Sequence, residues 1–218
     1  MAHTFALQSA SSAKQRMDEL EKFIVFWLGS RSMDYGEPDS VIERVSLPYP
    51  LRRLYAFAGK WPPLYPIHTD QPNVFCVQDC LLPLGKLSVS EDGKLPFVVE
   101  NQSCWTSSTL PYGDDPPVWV EGDFLPSSGW HVVTESLSRF LVSFCLQELL
   151  FGSMLRDGAT IPEHLSPMDP HRLTPLWTAG PYVHEATEHT FYLLDDEILV
   201  GPFGLENPWY GVKPITAS

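Results

Sequence analysis

Two histidines frame an acidic stretch, His184-Glu185-Ala186-Thr187-Glu188-His189. A zinc hydrolase of the helical type holds its metal on histidines four apart on one face. Here the interval is five, which sends the two side chains to different faces, and the stretch runs into a β-prone segment. These histidines are therefore expected in an exposed loop, without a metal. Cys76-x-x-x-Cys80 could open a metal site, but no second Cys or His pair follows at finger-like spacing. With only Cys104 and Cys145 in addition, the cysteines are too few for a disulfide scaffold. Free, buried thiols in a reducing compartment are expected. No G-x-S-x-G nucleophile elbow occurs, and Ala58-Gly59-Lys60 and Asp92-Gly93-Lys94 lack the glycine spacing of a phosphate cradle. The pairs Asp114/Asp115 and Asp195/Asp196 offer the two carboxylates that glycoside hydrolysis needs, but adjacent acids in turn sequences are ordinarily solvated turn formers. The sequence points away from catalysis and implies no cofactor.

What remains is a polar turn between aromatic strands. Phe97-Val98-Val99-Glu100-Asn101-Gln102-Ser103-Cys104-Trp105 is followed by Asp115-Pro116-Pro117-Val118-Trp119 and then by Trp130. The amides of Asn101 and Gln102 suit a turn, whose backbone groups they can satisfy. Trp105 and Trp119 are expected on one sheet face, beneath a helix carrying Phe140 and Phe144. The plainer alternative makes all of these core and turn residues.

The elements that must position these residues follow from periodicity. Met17, Leu20, Phe23, Ile24, Trp27 and Leu28 recur at three- and four-residue steps, a helix that Gly29 stops. Residues 30–40 read as a loop. A second helix spans residues 50–58, with Leu51, Leu54, Tyr55 and Ala58 inward and Gly59 after it. Short β-prone stretches follow at 74–77, 87–89, 97–100, 104–107, 118–121 and 130–133, separated by turn chemistry. Their close spacing predicts an antiparallel meander, since parallel neighbours need a long crossover. A helix is expected over about 135–151, capped by Thr134 or Ser136 and ended by Gly152, with every apolar position inward and Glu148 outward. Residues 153–180 look irregular, and a hairpin closes the chain: 190–194, a turn at Asp195-Asp196, and 197–200. Strands cluster rather than alternate with helices, so the fold class is α+β: a mainly antiparallel or mixed sheet with helices packed on one side. Residues 1–218 are expected to form a single domain.

The whole-chain balance agrees with a globular, acidic protein. Hydrophobic residues make up 44% of the 218, charged residues 19%, and the formal net charge is −13. Nucleic-acid binding needs cations to neutralise phosphates; 14 Lys and Arg without a basic run exclude it as an expectation. A basic protein surface is the better match for such a field. Residues 1–13 lack a basic segment followed by an apolar core, and the longest apolar burst, 23–28, is far short of a membrane span. A cytoplasmic location is expected.

The order of features resembles the SUKH superfamily, which includes cell-wall synthesis regulators and bacterial immunity proteins. The matching pieces are Leu47-Pro48 leading to Leu51, Leu54, Tyr55 and Gly59, then Glu100-Asn101-Gln102 with Trp105. Asp115-Pro116-Pro117-Val118-Trp119 follows, and Ser136-Leu137 with Phe140-Leu141 opens a helix. They span residues 45–152, about half the chain, leaving 153–218 as an extension. The resemblance implies a non-enzymatic protein-binding domain, commonly an immunity-type inhibitor of a cognate toxin, with a regulatory or scaffold role as the alternative. A small metal- or carboxylate-dependent hydrolase stands third. Candidate binding residues are Glu100, Asn101, Gln102, Trp105, Asp114, Asp115, Trp119, Glu121 and Asp123, with Glu91 and Asp92 beside them. The implied partner is a basic toxin or nuclease domain.

Overall fold

A computed structural model describes residues 3–64, 71–123, 125, 127–154, 170–182, 188–201 and 208–214. The first helix, α1 (Ala13–Leu28), starts where Ser12 and Gln15 close a capping box. Ser12 Oγ accepts the Gln15 N–H at 3.2 Å, and Gln15 Oε1 accepts the Ser12 N–H at 3.3 Å. Its apolar stripe is buried as the periodicity requires. Residues 30–40 are not all loop: a 3₁₀ turn (Met33–Tyr35) and the start of α2 (Asp39–Ile42) lie there, both too short to show a period. The helix α3 (Tyr49–Ala58) has Pro50 in its first turn, where a missing N–H costs nothing.

Five strands form an antiparallel meander in sequence order: β1 (Asp79–Leu81), β2 (Leu95–Glu100), β3 (Trp105–Thr109), β4 (Val118–Gly122) and β5 (His131–Thr134). The expected strands at 74–77 and 87–89 are absent. In their place the chain bends at 73–75 and is irregular at 87–90, and the edge strand is the three-residue β1. Pro96 is tolerated in β2 because β1 pairs only as far as Leu81 with Val98, so no ladder on that side needs its N–H.

The long helix α4 (Leu137–Met154) is capped by Ser136, whose Oγ accepts the Arg139 N–H at 3.3 Å. Gly152 does not end it. The helix runs on, and at Gly152 a Cβ would touch Val77 Cγ2 at 3.4 Å, marking close approach to the 76–80 loop. From Phe140 to Leu150 every residue is buried, so α4 has no solvent face. Sheet β1–β5 packs on it through Phe97, and the 73–75 bend through Phe75; their rings lie 5.5 Å from Phe140 and 6.2 Å from Phe144, respectively. Helix α1 packs through Trp27, whose indole N–H donates to Ser153 Oγ at 2.9 Å.

A second antiparallel sheet covers α4 elsewhere: β6 (Leu173–Pro181), β7 (Glu188–Leu194), β8 (Ile198–Gly201) and β9 (Trp209–Val212). The β7–β8 hairpin turns at Asp195 and Asp196, both with positive φ, as expected from the acidic turn. The flanking strands β6 and β9 are additions to the expected hairpin. Pro175 in β6 disguises a strand, and it is accommodated because β6 is an edge. The Trp177 indole donates to Ser143 Oγ at 2.8 Å, and β9 crosses α4 so closely that a Cβ on Gly211 would lie 2.7 Å from the Leu150 carbonyl oxygen. The architecture is α+β, with two antiparallel sheets, a main core around α4 and a small separate cluster of Leu194, Ile198 and Val200 in the second sheet. Among the described residues no helix is long and apolar enough to cross a membrane.

Candidate functional site

Strand alternation sorts the candidate residues onto two faces of the five-stranded sheet. Leu81, Val98, Ser107 and Val120 form one paired row, all fully buried against the core. Asp79, Glu100 and Trp105 lie on the same inner face. The opposite face carries Cys80, Val99, Thr106 and Glu121 in one row, and Pro96, Ser108, Trp119 and Val132 in the next. Trp105 and Trp119 therefore point to opposite faces, not to a common one. Trp105 meets the Tyr182 ring edge-on at 6.1 Å and is a core residue.

Three of the other candidates are bonded within the chain. Asp115 accepts the Ser138 N–H at 2.7 Å and the hydroxyls of Ser136 at 2.6 Å and Ser138 at 2.9 Å; it also pairs with the buried Arg16 at 2.9 Å. It thus fastens the start of α4 to α1. Glu100 is 7% exposed, and its Oε2 accepts the N–H groups of Gln102 at 2.7 Å and Cys104 at 3.2 Å, tying up the β2–β3 turn. Asn101 is exposed but bonds back to the 76–80 loop, its N–H donating to the Gln78 carbonyl at 3.2 Å.

The remaining candidates are at the surface. Gln102, Asp114, Glu121, Asp123, Glu91 and Asp92 are exposed. On the open face, Trp119 and Trp130 are half-buried, and the Lys94 ammonium lies 5.6 Å from each ring centre. Asp92 holds Lys94 at 2.9 Å and accepts the Ser90 hydroxyl; these bonds hold its carboxyl down at about 2. Val132, 48% exposed, sits beside Trp119. The face is thus an aromatic centre bordered by carboxylates, suited to hydrogen-bonded and ionic contact with a cationic surface.

A buried acidic cluster lies between α4 and the inner face of the five-stranded sheet. Glu148, expected outward from α4, is 0% exposed. Its carboxylate accepts three successive backbone N–H groups, from Val77 at 2.6 Å, Gln78 at 3.1 Å and Asp79 at 3.0 Å. Asp79 is 2% exposed and accepts from Gln147 Nε2 at 2.6 Å and the Tyr182 hydroxyl at 3.1 Å. Burial, with the charge of Glu100 added, pushes the Asp79 carboxyl up to about 7. Burial and the Asp79 charge raise that of Glu148 against the pull of its backbone donors. His189, 4.7 Å from the Tyr182 ring, is held down at about 4 by burial. An acid that keeps its proton near neutrality is the kind a hydrolase uses; Asp79 is 2% exposed, and its Oδ2 accepts from both Gln147 and Tyr182. The only sequence signal for this cluster is two polar residues, Gln147 and Glu148, inside an otherwise apolar run.

The cysteines also depart from expectation. Cys76 and Cys80 are joined in a disulfide, and Cys104 is an exposed thiol; only Cys145 is the free, buried thiol expected. Burial pushes the Cys145 thiol well up. His184 lies outside the described residues, while His189 is inside β7 and buried rather than on a loop. Among the described residues no group of three or more His, Cys, Asp or Glu is placed to hold a metal ion. Compared with known proteins, the sequence matches no family model and no curated protein, and the fold matches no solved structure.

Proposed function

We propose that this chain is a non-enzymatic protein-binding domain that receives a basic partner on the open face of the five-stranded sheet. The observation that carries it is the Trp119–Lys94–Trp130 cluster with Glu121 on the same face and Asp92 at its edge. Large aromatics at the centre of a patch are the usual anchors of an interface, and the surrounding carboxylates favour a cationic partner. The net charge of −13 adds a long-range field of the same sign. Together with the order of features that resembles the SUKH group, this supports an immunity-type inhibitor whose partner is a basic toxin or nuclease domain. A regulatory or scaffold protein would use the same face.

The test is capture from the native cell lysate, comparing the unaltered chain with a Trp119→Ala, Glu121→Lys variant of equal stability. A basic secreted-type toxin or nuclease, retained at equal stoichiometry and lost with the variant, is expected. Retention of regulators alone transfers the face to the scaffold role. Retention of the same proteins by both forms removes the face as the binding surface.

A further inference from the structure

The Cys76–Cys80 bond closes a ring with only Val77, Gln78 and Asp79 between its ends. Those three residues are the ones whose N–H groups converge on Glu148. The bond therefore clamps the two ends of a loop that cradles a buried carboxylate. It contributes little as a staple, because closing so short a loop removes little freedom from the unfolded chain. The two other cysteines are thiols, so the chain is no disulfide scaffold. Both bonded sulfurs belong to half-buried residues that line a surface groove of ≈ 300 Å³, where Lys86 stands among the walls with Asp79 and Glu100. A small thiol has room to approach there, and the Lys86 ammonium stands against the Glu100 carboxylate on the same wall.

We propose that Cys76–Cys80 is a thiol–disulfide exchange site for a low-molecular-weight thiol of the glutathione class, and that its reduction loosens the 77–79 loop over Glu148. The attacking thiolate bonds to one sulfur and expels the other cysteine as thiolate, giving a mixed disulfide. A second thiol attacks the external sulfur of that mixed disulfide and releases the remaining cysteine. In sum, two small thiols are oxidised to one disulfide, and Cys76 and Cys80 each end as a thiol carrying one of their protons. The fold persists, since the core around α4 does not include the two cysteines. Cys80 lies on the open face in the cross-strand row that ends at Glu121, and the exchange needs no bound partner.

The test incubates the native chain, without denaturant, in buffers of graded reduced-to-oxidised glutathione ratio. Alkylation and mass analysis read the thiols, and hydrogen exchange reads the backbone. Complete reduction in about 10 mM reduced glutathione is expected, with unchanged far-UV circular dichroism. Exchange at residues 77–79 should rise roughly tenfold while the amides of α4 stay protected. A Cys76→Ser, Cys80→Ser variant should show the faster exchange in every buffer. A bond that yields only when the chain unfolds, or loop exchange that is the same in both redox states, overturns the proposal.

Discussion

A carboxylate without solvent contact persists in the middle of α4 because three consecutive backbone N–H groups are aimed at it, and Asp79 persists beside it through Gln147 and Tyr182. These bonds satisfy the groups but do not abolish the cost of charge, and the Asp79 carboxyl is accordingly held at about 7. The consequence for stability has a definite sign. An unfolded Asp titrates near 4, so between about pH 4 and 7 the native state binds the extra proton and stability falls as pH rises. The slope is at most about 1.4 kcal/mol per pH unit and vanishes above the native value. His189 acts the other way: held at about 4 when folded, it costs stability as pH falls below its unfolded value of about 6.5. Urea unfolding of the unaltered chain and Asp79→Asn at a series of pH values separates the two. The unaltered chain should lose stability relative to Asp79→Asn from acid to neutral pH, and an unchanging difference would show that Asp79 does not hold the proton. None of this was legible in the sequence, because Glu148 meets its donors across 69 to 71 positions of chain and a helical wheel sees only neighbours. The exposed carboxylates Glu121 and Asp123 were legible, since turns and strand ends announce them. Asp115 and Glu100 look identical to them in sequence, and only the arrival of Ser138, Arg16 and the β2–β3 turn separates the buried role from the free one.

Among the elements, those with a long period were readable and those defined by a neighbour were not. α1, α3 and α4 carry their apolar spacing with them, as do the central strands β2 to β4. β1 has three residues, and β6 contains Pro175, so each exists as a strand only because another strand is there to pair with it. The same dependence explains Gly211. Strand β9 approaches α4 so closely that a side chain at 211 would strike the Leu150 carbonyl at 2.7 Å and crowd Ser153 at 3.1 Å. Both neighbours are held, one as helix backbone and the other by its bonds to Trp27 and the Leu149 carbonyl. Gly211→Val is therefore expected to lower stability by about 1–3 kcal/mol, seen as a lower denaturant midpoint. If β9 shifts without cost, the midpoint will be unchanged and the close packing is not a constraint.

At the scale of the molecule, α4 is a shared interior for two sheets, so the open face of the five-stranded sheet is presented by a rigid support instead of a loop. Trp27, Phe97, Phe144, Trp177 and Phe191 belong to one continuous core, and a docking face built on it need not order itself on binding. What such a face contributes then divides into field and contact. The field comes from a net charge of −13 and acts over about 8–10 Å at physiological salt; it speeds encounter with a basic partner. The contact comes from Trp119 and its neighbours and governs how long the complex lasts. Association rates of the captured complex should therefore fall steeply between low and high salt while dissociation changes little, and Glu121→Lys should slow association more than it speeds dissociation. Trp119→Ala should do the reverse, shortening the lifetime of the complex with association nearly intact. Stopped-flow mixing over a salt series reads both rates. Association insensitive to salt would remove the acidic field from the account and leave the aromatic centre alone to explain binding.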